Sequence, residues 1–301
     1  MVTFGPAKHG ISSLFAAAES AGGENPQLRA VLVSGGRLEG MEAAREKVGS
    51  GFAGVDALLP TGGLRRGSLI EWLPTATDTA AEHGAGGYEG EQAAGDLESG
   101  AGAATLAFAV ACQVAGAGCG PKTIVVVDRT EWFHPPAVLP WLTAGQQLVV
   151  ARPGRDDDET WAIDQALRCS GVAAVVAWPR PRGQARQRSH WSTALRRWQL
   201  AARSSGAIGL LVRPQMALRD PSWAEARIGV APLPGGTLSE RRLRLTRLGG
   251  GWIGTDQTMA TDISLDLARG MEVGTPISLQ RRHADTHHRI TPAGGATCRA
   301  S

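Results

Sequence analysis

The sequence predicts an α/β protein with a doubly wound, mostly parallel sheet. Its 301 residues, of which 43 % are apolar, suffice for one sizeable core with peripheral segments. Apolar, β-branched runs recur along the chain with helical segments of about 10–15 residues between them, which is typical of βαβ units. The clearest run, at 123–127, has no polar alternation, as expected of a strand covered on both faces.

The predicted elements alternate through the middle of the chain. Strands are predicted at 68–73, 123–128, 147–151, 172–178 and 208–212, and helices at 103–114, 135–144, 161–169 and from Ser192 onward. Acids at 156–159 precede the third helix, where carboxylates favour the helix dipole. In the fourth helix, Leu195, Trp198 and Ala202 recur at helical spacing.

The two ends of the chain differ from this core. Residues 1–46 are predicted to form an N-terminal arm, 47–250 the α/β core, and 251–301 a largely disordered C-terminal extension with a flexible tail from about Gly270. Within the core, 74–102 is rich in Gly, Ala and acids, which predicts a flexible insertion. Alternation at 227–230 and 242–248 predicts C-terminal edge strands, the second with arginines on its open face.

Composition excludes several classes of protein. No run approaches the roughly 18 apolar residues of a membrane span, and the N-terminus lacks a secretory signal, so a cytoplasmic protein with no membrane partner is expected. The four cysteines lie far apart, which predicts buried free thiols. The acids at 156–159 and the histidines near 287 match no metal site, and no GxSxG motif supports a hydrolase.

The phosphate-binding loop expected after the first parallel strand is degenerate. Such a loop needs glycines, a lysine for the terminal phosphates and a Ser or Thr for magnesium. The corresponding run is Gly100, Ala101, Gly102, Ala103, Ala104 and Thr105. Ala103 stands in place of the lysine, Ala104 in place of the hydroxyl, and the strand at 172–178 has Ala177 in place of the metal-binding acid. We therefore expect no nucleotide, metal or other cofactor and no ATPase activity. The alternative is an ATPase completed by a lysine from another subunit.

Arginine-rich segments supply the candidate binding surfaces. The net charge is only +3, yet residues 165–219 contain ten Arg and no acid, whereas 67–121 contain acids and no Lys or Arg. Arg180, Arg182, Arg186 and Arg188 follow the strand at 172–178 and are candidates for single-stranded DNA contact, with Trp178 and Trp191 nearby. Arg196, Arg203, Arg241, Arg242, Arg244 and Arg247 are a candidate partner surface. The alternative for both sets is an ordinary solvated face.

Several motifs together carry a family resemblance over about residues 50–250. They are GFAGVDALLPTGGLRRGSLIEW at 51–72, DRTE at 128–131, ALRRWQLAA at 194–202, LVRP at 211–214 and PSWA at 221–224. This set resembles the RecA superfamily and, within it, is similar to the ImuA family of bacterial damage-inducible mutagenesis cassettes.

The resemblance implies a RecA-like fold and a non-catalytic accessory role in translesion DNA synthesis during the SOS response. It also implies as partners an ImuB-like Y-family pseudo-polymerase and an error-prone replicative-type DNA polymerase. RecA and single-stranded DNA are further candidate partners. The alternative function is inhibition of cell division, as in the SulA relatives that also retain a degenerate RecA-like domain.

Overall fold

The computed structural model describes residues 46–75, 102–179, 188–249, 258–274 and 277–282. Its strands are β1 (Lys47–Val48), β2 (Leu64–Arg65), β3 (Leu69–Pro74), β4 (Thr123–Val127), β5 (Gln147–Ala151), β6 (Val172–Ala177), β7 (Ile208–Val212), β8 (Ala226–Pro232), β9 (Glu240–Gly249), β10 (Thr258–Asp266), β11 (Met271–Glu272) and β12 (Ile277–Arg282). The α-helices are α1 (Ala53–Leu58), α2 (Ala103–Gly116), α3 (Asp156–Arg168) and α4 (Arg188–Ser205). Short 3₁₀ helices cover Pro135–Ala137, Leu139–Trp141 and Gln215–Arg219.

Six parallel strands form the centre of the main sheet. Their order is β8-β3-β7-β6-β4-β5, and every neighbouring pair is parallel. Helix α2 packs on one face, whereas α3 and α4 pack on the other. The prediction of an α/β protein with a mostly parallel, helix-flanked sheet is therefore confirmed.

Helix α2 is buried around most of its circumference. Its sequence is almost entirely Ala, Val, Leu and Phe, and a helix that is apolar all round has no face to offer to water. Leu106, Phe108 and Val110 are all at most 2 % exposed. The helix begins after Gly102, whose φ of 81° lies in the left-handed region, and a Cβ there would lie 2.9 Å from Leu243 Cδ2.

The opposite face is built from the amphipathic helices α3 and α4. Ile163 and Leu167 of α3 and Leu195 and Trp198 of α4 are fully buried against the sheet. Helix α4 begins four residues before the predicted N-cap at Ser192. Trp191 packs edge-on against Trp198, two helical turns later, with ring centroids 5.5 Å apart, which favours the longer helix.

The helix predicted at 135–144 is replaced by two 3₁₀ helices. Pro135 and Pro136 suit a helix start, because the first helical N–H groups have no partner within the helix. Pro140 lies farther along, where a proline lacks the N–H that an α-helix needs and its ring clashes with the preceding turn. The chain therefore turns twice and brings Trp141 into the core, 7 % exposed.

The C-terminal extension contributes strands to the main sheet, which corrects the expectation of a largely disordered segment for residues 258–266, 271–272 and 277–282. Strand β10 pairs antiparallel with β9 on one side and with β11 and β12 on the other. Ile263 and Leu265 are buried and alternate with Asp262 and Ser264, the pattern of a strand with one covered face. Strands β8 and β9 are therefore interior strands, and their prediction as edge strands is wrong.

Burial differs among the cysteines. Cys112 on α2 is a buried free thiol, and burial raises its pKa to about 12. Cys119 and Cys169 are exposed free thiols, so the prediction of burial is wrong for these two. None of the helices in the described segments combines the length and apolar character needed to cross a membrane.

Glu272 makes the stability of the protein depend on pH. Its carboxylate accepts the backbone N–H of Ala53 at the start of α1. Partial burial raises the pKa of Glu272, the negative Asp56 adds to that rise, and the N–H groups of Ala53 and Gly54 oppose it. A carboxyl with a raised pKa in the folded state contributes stability below its ordinary pKa, and that contribution is lost as pH rises through the raised value.

We therefore expect Glu272→Gln to gain stability relative to the wild type as the pH rises from about 4.5 toward neutrality. The amide oxygen of Gln can still accept the Ala53 N–H, whereas the titration is removed. Urea unfolding of both proteins at several pH values measures the difference in free energy of unfolding. A difference that stays constant with pH would contradict this assignment.

Candidate functional site

The carboxyl ends of the parallel strands surround a cleft of about 730 Å³. Pro74 at the end of β3, Trp178 after β6 and Pro214 after β7 form one side of it. The first turn of α2 and the segment that follows β4 form the other. The carboxyl edge of an open parallel sheet is where such folds bind their ligands. This cleft is therefore the candidate functional site.

The wall contributed by α2 contains the residues predicted as a degenerate phosphate loop. Gly102 is the N-cap of the helix, and Ala103 is buried. Ala104 and Thr105 are half-buried and line the cleft. Gly100 lies outside the described residues. Of these residues, Ala104 and Thr105 line the cleft, so this part of the wall presents a methyl group and a threonine side chain.

Aromatic side chains dominate the rest of the lining. Phe108, Phe133, Trp141 and Trp178 are at most 8 % exposed and all border the cleft. The ring centroid of Phe108 lies 5.1 Å from that of Phe133 and 6.1 Å from that of Trp141, and Phe133 lies 6.2 Å from Trp178. These tilted rings form a continuous apolar surface with the spacing of favourable aromatic pairs.

The segment after β4, residues 128–134, is held in a strained turn. The buried carboxylate of Asp128 accepts the Phe133 N–H at 2.7 Å and the Thr130 hydroxyl at 3.1 Å. Glu131 between them has a φ of 59°, a conformation that costs energy in a residue with a side chain. The turn presents Trp132, 53 % exposed, at the cleft.

Two arginines fix this turn to neighbouring elements. Arg129 Nε lies 3.1 Å from Asp156 Oδ1 and 3.6 Å from Glu159 Oε2, so the acids at the start of α3 anchor the turn. Arg152, which follows β5, donates to the Phe133 carbonyl at 3.3 Å. The prediction that the acids occupy the first turn of a helix is confirmed.

A buried ionic cluster lies beside the cleft. Arg213, fully buried, donates to Glu71 Oε1 at 2.9 Å and to Asp220 Oδ2 at 3.0 Å. Arg227 Nε donates to Glu71 Oε2 at 2.7 Å. The Arg213 guanidinium also lies 5.4 Å from the ring centre of Trp191. Because two cations meet two carboxylates, the cluster is neutral. It links β3 to the start of β8 and to the segment that follows β7.

The candidate DNA-contact residues fall largely outside the described part of the chain. Arg180, Arg182 and Arg186 lie in the undescribed segment 180–187. Arg188 is the first residue of α4, and its side chain is not described. The contact with single-stranded DNA stays a prediction.

The candidate partner-surface arginines do not share one face. Arg196 and Arg203 are exposed on α4, where Arg196 stacks over Trp223 at 5.3 Å. In β9, Arg241 and Leu243 share the face toward α2 by strand alternation, whereas Arg242 and Arg244 lie on the other.

The arginines of β9 are partly engaged within the sheet. Arg244 forms a bidentate pair with Asp262 of β10 at 2.8 and 3.0 Å, and Arg242 donates to the Pro234 carbonyl at 3.1 Å. Arg247 is half-buried. Arg244 is thus engaged by Asp262 of the neighbouring strand, and a partner surface formed by these arginines stays a prediction.

Neither a protein-family model nor a curated protein matches this sequence. Within the described residues, no group of three or more His, Cys, Asp or Glu side chains is placed to hold a metal ion. The cleft is therefore interpreted from its own residues.

Sequence reasoning missed the aromatic wall and the ionic cluster. Trp132, Phe133 and His134 were visible as a run after a strand ending in Asp128, which signals side chains at the carboxyl edge. Phe108 and Trp141 gave no comparable signal, because an aromatic residue in an apolar segment is normally core. The partnership of Glu71 with Arg213 and Arg227 joins residues 142 and 156 positions apart, a separation that local patterns do not reveal.

Proposed function

We propose that this protein is a RecA-like, non-catalytic accessory protein of damage-induced translesion DNA synthesis. It acts as a scaffold that binds an ImuB-like pseudo-polymerase and an error-prone replicative-type DNA polymerase. RecA and single-stranded DNA are further partners of this proposal. The cleft takes part in recognition rather than in nucleotide hydrolysis.

The observation that carries the proposal is the chemistry of the cleft wall. A site for a nucleoside triphosphate needs cations and oxygen ligands around the terminal phosphates and magnesium. The first turn of α2 offers Ala104 and Thr105 to the cleft and no cation, and Phe108, Phe133 and Trp178 continue the wall. Such a surface favours apolar contacts over a polyphosphate.

The topology supports a RecA-type interpretation of the fold. Strand β3 is followed in the order of described elements by α2, and α2 begins after a left-handed glycine, Gly102; a strand, a glycine-rich loop and a helix follow one another in this order in P-loop proteins. Strands β6 and β3 are separated in the sheet by β7 alone. The last residue of β6, Ala177, stands where a metal-binding acid is expected in a RecA-type site. The two degenerate positions thus belong to the same edge of the sheet.

Deletion of the gene in its source bacterium tests the function. We expect the deletion to abolish most of the rise in mutation frequency that ultraviolet damage induces, and a plasmid copy of the wild-type gene to restore it. The purified protein should hydrolyse no ATP above the rate of a buffer control.

Two outcomes would overturn the proposal. ATP turnover by the purified protein would revive a catalytic role. An unchanged induced mutation frequency, together with filamentous cells on overexpression, would favour a SulA-like inhibitor of cell division.

A further inference from the structure

Large apolar side chains are exposed in or next to the chain segments that line the cleft. Trp132 lines it and is 53 % exposed. Leu139, next to the lining residue Val138, is 53 % exposed, and Met216, two residues after the lining residue Pro214, is 66 % exposed. Clustered exposed apolar side chains around a cavity are typical of interaction surfaces, and Trp is enriched among the residues that dominate binding energy.

The walls of the cleft are fixed before any ligand arrives. Asp128 and Arg129 hold the turn that carries Trp132, and the turn keeps a left-handed Glu131 in place. Strain maintained by surrounding contacts occurs most often at functional sites. A preformed surface also lowers the conformational entropy lost on binding. The cleft therefore has the properties of a built binding site.

The charges of the lining select the kind of occupant. Among the described lining residues, Arg213 carries a permanent charge, and its guanidinium is already bound to Glu71 and Asp220. A nucleic-acid strand needs cations for its phosphates. These walls offer mainly aromatic rings, methyl groups and prolines, with Thr105 and His134 as further polar side chains. The complementary occupant is an uncharged, bulky side chain.

The size of the cleft matches such an occupant. Its volume of about 730 Å³ falls within the roughly 300–1,000 Å³ of sites that enclose a whole organic ligand. This is room for more than one large side chain, as an extended peptide would insert. The open mouth next to Ala137 and His134 leaves a path for the peptide backbone.

We propose that this cleft is the docking site for a segment of a partner protein that inserts Trp, Phe or Leu side chains between α2 and the turn at 128–134. The inference deepens the proposed scaffold function and rests on it. It assigns Trp132, Phe133 and Trp178 as the contact residues that bind the apolar anchor.

Selection from a phage-displayed random-peptide library on the immobilised full-length protein tests this assignment. Enriched peptides are synthesised with a fluorescent label and titrated by anisotropy. The variants are Trp132→Ala, which removes the exposed anchor contact, and Ala137→Glu, which adds a charge at the rim. The matched control is Trp161→Ala, because Trp161 on α3 is a comparably exposed tryptophan, at 62 %, outside the cleft lining. Thermal unfolding confirms that each variant is folded.

We expect the enriched peptides to share an aromatic or leucine anchor. Their affinity should fall at least about tenfold in both cleft variants and stay within about twofold in Trp161→Ala. Peptides that bind all four proteins equally, or no enrichment, would overturn the assignment. A parallel titration with labelled oligo(dT) covers the other occupant: binding lost in the cleft variants would assign the cleft to nucleic acid instead.

Failure here is distinguishable from failure of the proposed function. If the deletion strain loses induced mutagenesis but the cleft binds no peptide, the scaffold function stands and the docking site must lie elsewhere on the protein. If the cleft binds the enriched peptides but deletion of the gene does not change mutagenesis, the docking site stands and the proposed cellular role is wrong.

Discussion

Glu71→Ala is expected to lower the free energy of unfolding by about 3–5 kcal/mol, because it leaves buried positive charge without its partner. Arg213 would keep Asp220 alone, and Arg227 Nε would lose its carboxylate acceptor in β3. Both side chains lie in a region where water cannot replace the lost contacts, since Arg213 is fully buried and Arg227 is only 11 % exposed. Urea unfolding followed by circular dichroism measures the loss.

Asp262→Asn is the matched control for this prediction. It removes the carboxylate from a bidentate pair with Arg244 that is partly exposed to solvent, 30 % and 21 % for the two side chains. Solvent screening limits such pairs to roughly 0–1 kcal/mol. Equal losses for Glu71→Ala and Asp262→Asn would show that the ionic cluster does not stabilise the link between β3, β8 and the segment after β7.

Phe108→Ala should lower the free energy of unfolding by about 3–5 kcal/mol, in the range observed for aromatic residues removed from a core. Phe108 is 2 % exposed and supports both Phe133 and Trp141 through ring contacts. Its loss would enlarge the cleft at its buried wall and remove the ring contacts that Phe133 and Trp141 make with it. The same unfolding experiment measures the effect.

Two companion variants sharpen the prediction for Phe108. Phe108→Leu keeps an apolar side chain and should lose clearly less than the alanine variant. Leu200→Ala, at a 55 % exposed position on α4, should change stability by no more than about 0.5 kcal/mol. An alanine effect at Phe108 as small as the one at Leu200 would contradict the described packing of the aromatic wall.

Sequence patterns within single strands and helices predicted much of the fold. The β-branched run at 123–127 and the run at 147–151 became β4 and β5 with the predicted bounds or one residue fewer. Helix α2 starts at Ala103 as predicted, because its apolar residues surround the axis and only a buried helix accommodates them. These signals are local, so the sequence alone exposes them.

The errors arose where distant segments meet. Strand β9 has the arginine alternation of an edge strand, yet β10 covers it, and Asp262 supplies the charge that accommodates Arg244. The polar composition after residue 250 did not predict this pairing, because the buried apolar residues in this part of β10 occupy only alternate positions. Register between strands separated by a long connection is set by side-chain complementarity, which a single strand does not display.

The sequence by itself determined the α/β class and the order of strands β3 to β7 and helices α2, α3 and α4. Only the tertiary structure decided which side chains line the carboxyl edge of the sheet. Phe108, Trp132, Phe133, Trp141 and Trp178 come from four separate segments and meet because parallel strands end at one edge of the sheet. The contact between Arg213 and Glu71 beside them joins residues 142 positions apart, so only the folded chain brings its two side chains together.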